Sequence, residues 1–378
     1  MTVQVLGRRE LNRALLARQM LLERNTMSPL PAIEHLVGMQ AQLPTPPYFG
    51  LWTRLADFDP LELSQLFLDR RVVRIALMRS TVHLVSAEDA LALRPVVQPA
   101  VSRGLTPNSP FGKALATVDL AELAVLARSL VEERPLTGNE IGTALQSRWP
   151  EVDVTALSIA ARAGVPLVQV PPRGLWGGVG QSRTISAESW IGRPQAEPDV
   201  AQMVRRYLAA YGPATVRDAQ AWSGITGLTG VFKELKPSLA VFADENGSEL
   251  FDVPDALRPP ANTPAPVRFL PDFDQILLAH HDRSRIFVPE HRPLIFSSNG
   301  IVHASVLIDG FVRALWTIER GRDLATLAIR PLPPVGRRVI TQRERSAVEA
   351  QGRKLLSFAA PGAAPAIRFD PVLSVAAR

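Results

Sequence analysis

Helices closed by a strand or hairpin recur three times before residue 262, which restricts the chain to helical modules carrying small sheets. The first occurrence has an amphipathic helix from Arg9 to Leu22, a second from Pro29 to Gln40 capped by Ser28, and a third opened by Asp59-Pro60. A strand-like run, Arg79-Ser80-Thr81-Val82-His83-Leu84-Val85, follows. In the second occurrence Leu120 to Val131 reads as a helix, and Thr137-Gly138-Asn139-Glu140 has the capping-box form that opens another. Val154 to Ala163, the wing Pro166 to Val170, a Gly-rich tip from Gly174 to Gly180 and Arg183-Thr184-Ile185 complete it. In the third, Val200 to Tyr211 precedes a second capping box, Thr215-Val216-Arg217-Asp218, and a helix at Leu228 to Leu235 leads to a hairpin turned by Asn246-Gly247. Helix, helix, helix, strand is the order of a winged helix.

The proline-rich stretch 259–266 reads as a linker, beyond which the pattern changes to strands. Leu294 to Phe296 and Ile301 to His303 flank Asn299-Gly300, Val306 to Ile308 and Phe311 to Arg313 flank Asp309-Gly310, and Ala325 to Ile329 continues the meander. A helix at Gln342 to Phe358 and a proline-broken tail end the chain. The expected class is α+β, with three tandem winged-helix modules at 1–115, 116–197 and 198–262 and a C-terminal antiparallel β domain at 263–378.

Composition narrows the chemistry. With 46% hydrophobic residues in 378, the chain can bury a sizeable core. The 42 Lys+Arg against 36 Asp+Glu give a net charge of +6, a modest bias toward polyanions in which only Lys113, Lys233, Lys236 and Lys354 are lysines. Zero cysteines exclude disulfides, cysteine-ligated zinc, iron–sulfur clusters and thiol catalysis. Neither a signal core in Met1 to Arg13 nor a membrane-length apolar run is visible, so a soluble, cytoplasmic protein is expected. P-loop, HExxH, GxSxG and dinucleotide fingerprints are missing too.

Three polar groups remain as candidates. Gln40-Ala41-Gln42 ends an apolar helical stretch just before Leu43-Pro44-Thr45-Pro46-Pro47. It reads either as a polar helix end or as two amides converging on a cleft, where they can position a water but not act as strong bases. Arg79, Thr81 and His83 fall on one strand face by alternation and could contact phosphates or a displaced nucleotide, or form a solvated face with an incidental histidine. His280-His281-Asp282-Arg283-Ser284-Arg285 could orient a histidine through Asp282 beside two phosphate-holding arginines, or form a hydrogen-bonded corner. Adjacent histidines seldom converge on a metal, so His280, His281, Asp282 and His291 are not expected to be ligands, and no metal or other cofactor is expected.

Met39-Gln40-Ala41-Gln42, Gly50-Leu51-Trp52-Thr53-Arg54, Met78-Arg79-Ser80-Thr81-Val82-His83-Leu84 and Leu277-Leu278-Ala279-His280-His281-Asp282-Arg283-Ser284-Arg285, in this order, resemble the bacterial winged-helix DNA glycosylase superfamily of AlkZ and YcaQ. The resemblance covers nearly the whole chain. It implies a C-shaped scaffold around duplex DNA and a catalytic Gln-aliphatic-Gln or Gln-aliphatic-Asp motif, which places the catalytic role on Gln40 and Gln42. Gln rather than Asp at the second position resembles the AlkZ branch, whose members remove bulky natural-product adducts or unhook crosslinks. Arg54, Arg79, Thr81, His83, His281 and Arg283 inherit a place near DNA or the cleft, as DNA-binding residues, with the extra histidine leaving the register of His280 and His281 open.

The implied reaction is monofunctional hydrolysis of the N-glycosidic bond of N7-alkylguanine, in repair or antibiotic self-resistance. Alkylation at N7 already makes the base a good leaving group, which suits neutral amides, and no lysine lies in these motifs to form a Schiff base. The expected partner is double-stranded DNA containing alkylated guanine, held by a monomer. The rival from another class is a non-catalytic winged-helix transcriptional regulator, which would bind a defined site as a dimer and tolerate loss of both glutamines.

Overall fold

The computed structural model describes residues 3–335 and 339–374; residues 1–2, 336–338 and 375–378, which fall in the first and last expected segments, lie outside it. In chain order the strands are β1 (Val5–Leu6), β2 (Met39–Gln40), β3 (Val72–Ala76), β4 (Val82–Ser86), β5 (Leu136–Thr137), β6 (Leu167–Gln169), β7 (Arg183–Ser186), β8 (Ala240–Asp244), β9 (Glu249–Asp252), β10 (Arg268–Leu270), β11 (Ser305–Ile308), β12 (Phe311–Arg320), β13 (Leu324–Pro331) and β14 (Ala364–Phe369). Helices lie between and over three sheets, so the class is α+β.

One sheet has the order β2-β4-β3-β6-β7-β5 and crosses two of the expected segments, because Arg74 pairs with Gln169 and Ile75 with Val168. Its Gly-rich tip, between β6 and β7, folds back onto the helix Pro46–Arg54: the Tyr48 hydroxyl donates to Gly174 O at 2.7 Å, and Trp176 packs on Tyr48 and Phe49. In a second sheet β1 runs parallel to β8, which pairs with β9. The first strand therefore completes the third segment. Helix Arg8–Arg18 follows β1 and is pinned at both ends of the fold: Arg18 pairs with Asp252 at 2.7 Å, and Arg9 and Arg13 grip Asp309 at 2.8 and 2.5 Å.

The third sheet, β10 to β14 in sequence order, is antiparallel except at its end, where β14 runs parallel to β13. Helix Gln342–Ala359 supplies the crossover that a parallel neighbour requires, so the C-terminal sheet is mixed rather than wholly antiparallel. The expected strand at Leu294 is instead the end of a short helix, Arg292–Ile295, started by Pro293 in its first turn, and only Phe296 bridges to Val302. Both capping boxes formed as read, at Thr137 and Thr215. One apolar core joins Leu15, Val73, Ala163, Tyr207, Leu277 and Leu315, so every segment shares it. Among the described residues no helix is long and apolar enough to cross a membrane.

The start of the site is set by a glycine. Helix Pro29–His35 stops short of Gln40 because Val37 and Gly38 turn through positive φ, 54° and 86°. At Gly38 a Cβ would come within 2.5 Å of Val85 Cγ1, so the chain can turn here only without a side chain. Gln40 is consequently a strand residue opposite His83, not the last turn of a helix.

Candidate active site

Gln40-Ala41-Gln42 is anchored at four points. Ala41 N donates to Val82 O at 2.7 Å, and Ala41 O accepts from Arg74 Nη2 at 2.7 Å. Gln40 Oε1 accepts from Arg79 Nη2 at 2.6 Å, and Gln42 Oε1 accepts from Val82 N at 3.1 Å. A guanidinium and a peptide N–H can only donate, so both amide orientations are dictated by chemistry. Each oxygen keeps a second lone pair for a water or sugar hydroxyl. Gln40 is buried at 7% exposure whereas Gln42 is exposed, so the motif runs from the interior to the surface within three residues.

Arg79 does not lie on a strand. It and Ser80 occupy a tight turn at φ 56° and 61°, closed by Ser80 N to Leu77 O at 2.9 Å and Thr81 N to Met78 O at 3.1 Å. Two consecutive non-glycine residues in the left-handed region cost about 1–2 kcal/mol each. The turn aims the guanidinium at Gln40 Oε1 on one side and Trp222 O on the other. Burial pulls Arg79 down to about 10, which leaves it charged at neutral pH. The alternation expected for Arg79, Thr81 and His83 is therefore broken at the turn, and β4 starts only at Val82.

Thr81 and His83 serve the turn rather than reaching outward. The Thr81 hydroxyl donates to Met78 O at 3.0 Å. His83 is 3% exposed, its Nδ1 bonds Thr81 O at 2.9 Å, and burial with the neighbouring Arg79 charge pushes it down to about 3. A histidine held neutral in this way cannot offer a charge to phosphate. Arg54 is also withdrawn: at 0% exposure it makes a bidentate pair with Asp274, two bonds of 2.8 Å, and donates to Gly50 O. The expectation of a DNA contact at Arg54 is corrected, because no part of its side chain reaches solvent.

The two adjacent histidines separate by burial. His280 points inward, bonded through Nε2 to Tyr211 O at 3.1 Å and pushed down to about 3 by burial and Arg285. His281 is exposed, its N–H held by Asp218 Oδ1 at 2.8 Å, in a recess shared with Arg217 and Asp282. Arg283 is half-buried over the Phe296 ring at 4.9 Å, close enough that its charge lowers Arg79. Gln40, Arg79, His83 and Arg283 thus gather in one neighbourhood, while His281 opens to the recess it shares with Arg217 and Asp282. His291 bonds Pro333 O at 2.9 Å, and among the described residues no three metal-ligating side chains assemble.

Sequence reasoning missed Arg74, Arg103 and Arg162. Arg74 is 1% exposed beneath Ala41, with Nε and Nη1 buried without partners. A lone arginine in the apolar strand Val72-Val73-Arg74-Ile75-Ala76 was the available signal. Arg162 Nη2 reaches Ser80 Oγ at 3.3 Å and Arg103 donates to Gly224 O, so both frame the turn that carries Arg79. Helical periodicity gives no hint of that convergence.

The AlkZ-like DNA glycosylase family profile matches residues 33–358. A curated relative, the interstrand DNA cross-link repair glycosylase of Streptomyces sahachiroi, is 24% identical over 358 residues, covering 87% of this chain and 92% of its own. The solved structure of the Streptomyces sahachiroi DNA glycosylase AlkZ superposes with a TM-score of 0.77 at 20% identity, over 97% of this chain and 100% of that one. With the profile spanning most of its length, the chain belongs to the AlkZ-like family of DNA glycosylases.

Proposed function

We propose that this glycosylase hydrolyses the N-glycosidic bond of N7-alkylguanine in duplex DNA, with bulky natural-product adducts or interstrand crosslinks as its substrates, in repair or self-resistance. The observation that carries the reading is the rigid Gln40-Ala41-Gln42 segment, which presents two neutral amides of dictated orientation. The cross-link repair relative supports the substrate class. Three winged-helix units in a C-shaped, monomeric scaffold would place Gln42 against the duplex.

In this mechanism the unfilled oxygen lone pairs of Gln40 and Gln42 hold a water against the sugar C1′; the glycosidic electron pair leaves with the base, the water oxygen bonds C1′, and the water's proton passes to solvent. The alkylated base departs neutral, so it needs no proton from the protein. Arg79, donating to Gln40, lowers that amide's basicity while fixing its position, which suits orientation rather than proton abstraction. The reaction is monofunctional: no lysine lines the Arg79 cleft, and Lys236 is engaged by Glu249 at 2.6 Å. Arg79, Arg283 and His281 are the candidate DNA contacts, while Arg54, Thr81 and His83 hold the frame.

Single-turnover base release from duplex containing N7-methylguanine or a bulky N7 adduct, with abasic sites cleaved by heat or alkali, tests the reading. Gln40→Ala and Gln42→Ala should each slow release about tenfold or more, about 1.4 kcal/mol of barrier. Wild-type protein that binds DNA but releases no base from any N7-alkylguanine would overturn it.

A further inference from the structure

Arg79, Arg103 and Arg162 line one cleft of about 640 Å³ that no carboxylate lines. It opens where the Met78–Ser80 turn, the Ser102–Leu105 turn, helix Val154–Gly164 and the end of helix Val216–Ser223 meet, so all three helical segments contribute. Val101 and Ile159 supply apolar wall beside the three cations. Some inner arginines elsewhere pair with carboxylates, Arg18 with Asp252, Arg54 with Asp274 and Arg206 with Asp89, while others, Arg74, Arg94 and Arg268, bond neutral oxygens one at a time rather than around a shared cleft. Here the partners are all neutral oxygens, those of Gln40, Trp222, Gly224 and Ser80.

Such an arrangement favours an anion. Each guanidinium carries more N–H groups than these bonds use, and its planar fork matches a phosphate. Three like charges around one cleft repel one another until an anion enters. We propose that the cleft seats one phosphodiester of the lesion-bearing strand, gripped by Arg103 and Arg162, with Arg79 between that phosphate and Gln40. The sugar of the same nucleotide lies against Val101 and Ile159. This inference rests on the DNA reading above and adds a role for Arg79: its charge would oppose both a cationic base and a developing oxocarbenium ion, and a phosphate on its far side offsets it. Arg79 is then a positioning residue that couples backbone capture to the orientation of Gln40.

The test is affinity of the intact protein for a labelled undamaged duplex across a salt series. Arg103→Ala and Arg162→Ala should each weaken binding, and together lower the slope of log K against log salt by about 0.9 for the lost phosphate contact, with an affinity loss on the order of tenfold. Arg353→Ala, at an exposed site on the C-terminal helix, should leave the slope unchanged. The double variant Arg103→Lys with Arg162→Lys should keep the slope because it keeps the charge. Wild-type slope and affinity in the double alanine variant would overturn the proposal, as would an equal loss in the double lysine variant, which would attribute the effect to folding. The readout does not depend on base release. A lowered slope without release refutes the substrate reading and supports the cleft, whereas release with an unchanged slope refutes the cleft alone.

Discussion

Removing the Arg79 guanidinium should slow base release without emptying the site of its amides. The bond to Gln40 Oε1 is 2.6 Å long, charge-assisted and made in a buried setting, which puts its worth at about 1.5–3 kcal/mol. If all of it is realised in the transition state, release slows by about 10- to 150-fold. The backbone complicates an alanine substitution, because φ at residue 79 is 56° and alanine is strained there as well. Arg79→Asn supplies the control, since asparagine tolerates the left-handed region and cannot replace the guanidinium. Both variants should slow release alike in single-turnover assays with protein in excess at saturating concentration. Combined with Gln40→Ala in a double-mutant cycle, Arg79→Asn should show a coupling of about 1 kcal/mol or more. Strict additivity would refute the argument that Arg79 acts through Gln40.

Two stability outcomes follow from the buried charges. Asp274→Ala strands the fully buried Arg54 guanidinium and should cost about 3–5 kcal/mol in urea unfolding; a loss below about 1 kcal/mol would show that the pair contributes little. His83 and His280 are both pushed down to about 3, against an ordinary value of about 6.5 in the unfolded chain. Below that ordinary value the unfolded state binds protons that the folded state refuses, so stability is level above it and falls as pH drops toward about 3. Going from about pH 7.5 to about pH 5.5 should cost about 1.4 kcal/mol per histidine, and His83→Asn should abolish about half of the loss. An unchanged urea midpoint at the lower pH would contradict this.

What the sequence made legible was local. Thr137 and Thr215 satisfy their helices from within four residues, and the Asn246-Gly247 and Asp309-Gly310 turns need only the residues beside them, so both kinds of element appear where they were read. Long-range pairing was not legible: nothing near Arg74 announces Gln169, and nothing in the tail announces that Ala364–Phe369 joins β13 in parallel. At the site, the glutamine pair was visible by composition and spacing, but its geometry was set by the Gly38 turn and by two left-handed residues that strand periodicity cannot represent. The arginines divided by tertiary context. Arg54 is expected near DNA or the cleft and is Asp274's partner, while Arg74, in an apolar strand, is not singled out by the sequence reading and holds Ala41.

The grip of Arg9 on Asp309 spans 300 residues of chain, and it has a consequence for biosynthesis. At about 5–20 residues per second, a ribosome needs about 15–60 s to deliver the partner after the helix Arg8–Arg18 has been made. Through that interval Leu15 and Leu16, which end fully buried, have no finished core to enter. The nascent amino-terminal helix is therefore a natural client for chaperones, and vectorial synthesis leaves the closing of the fold until late in translation.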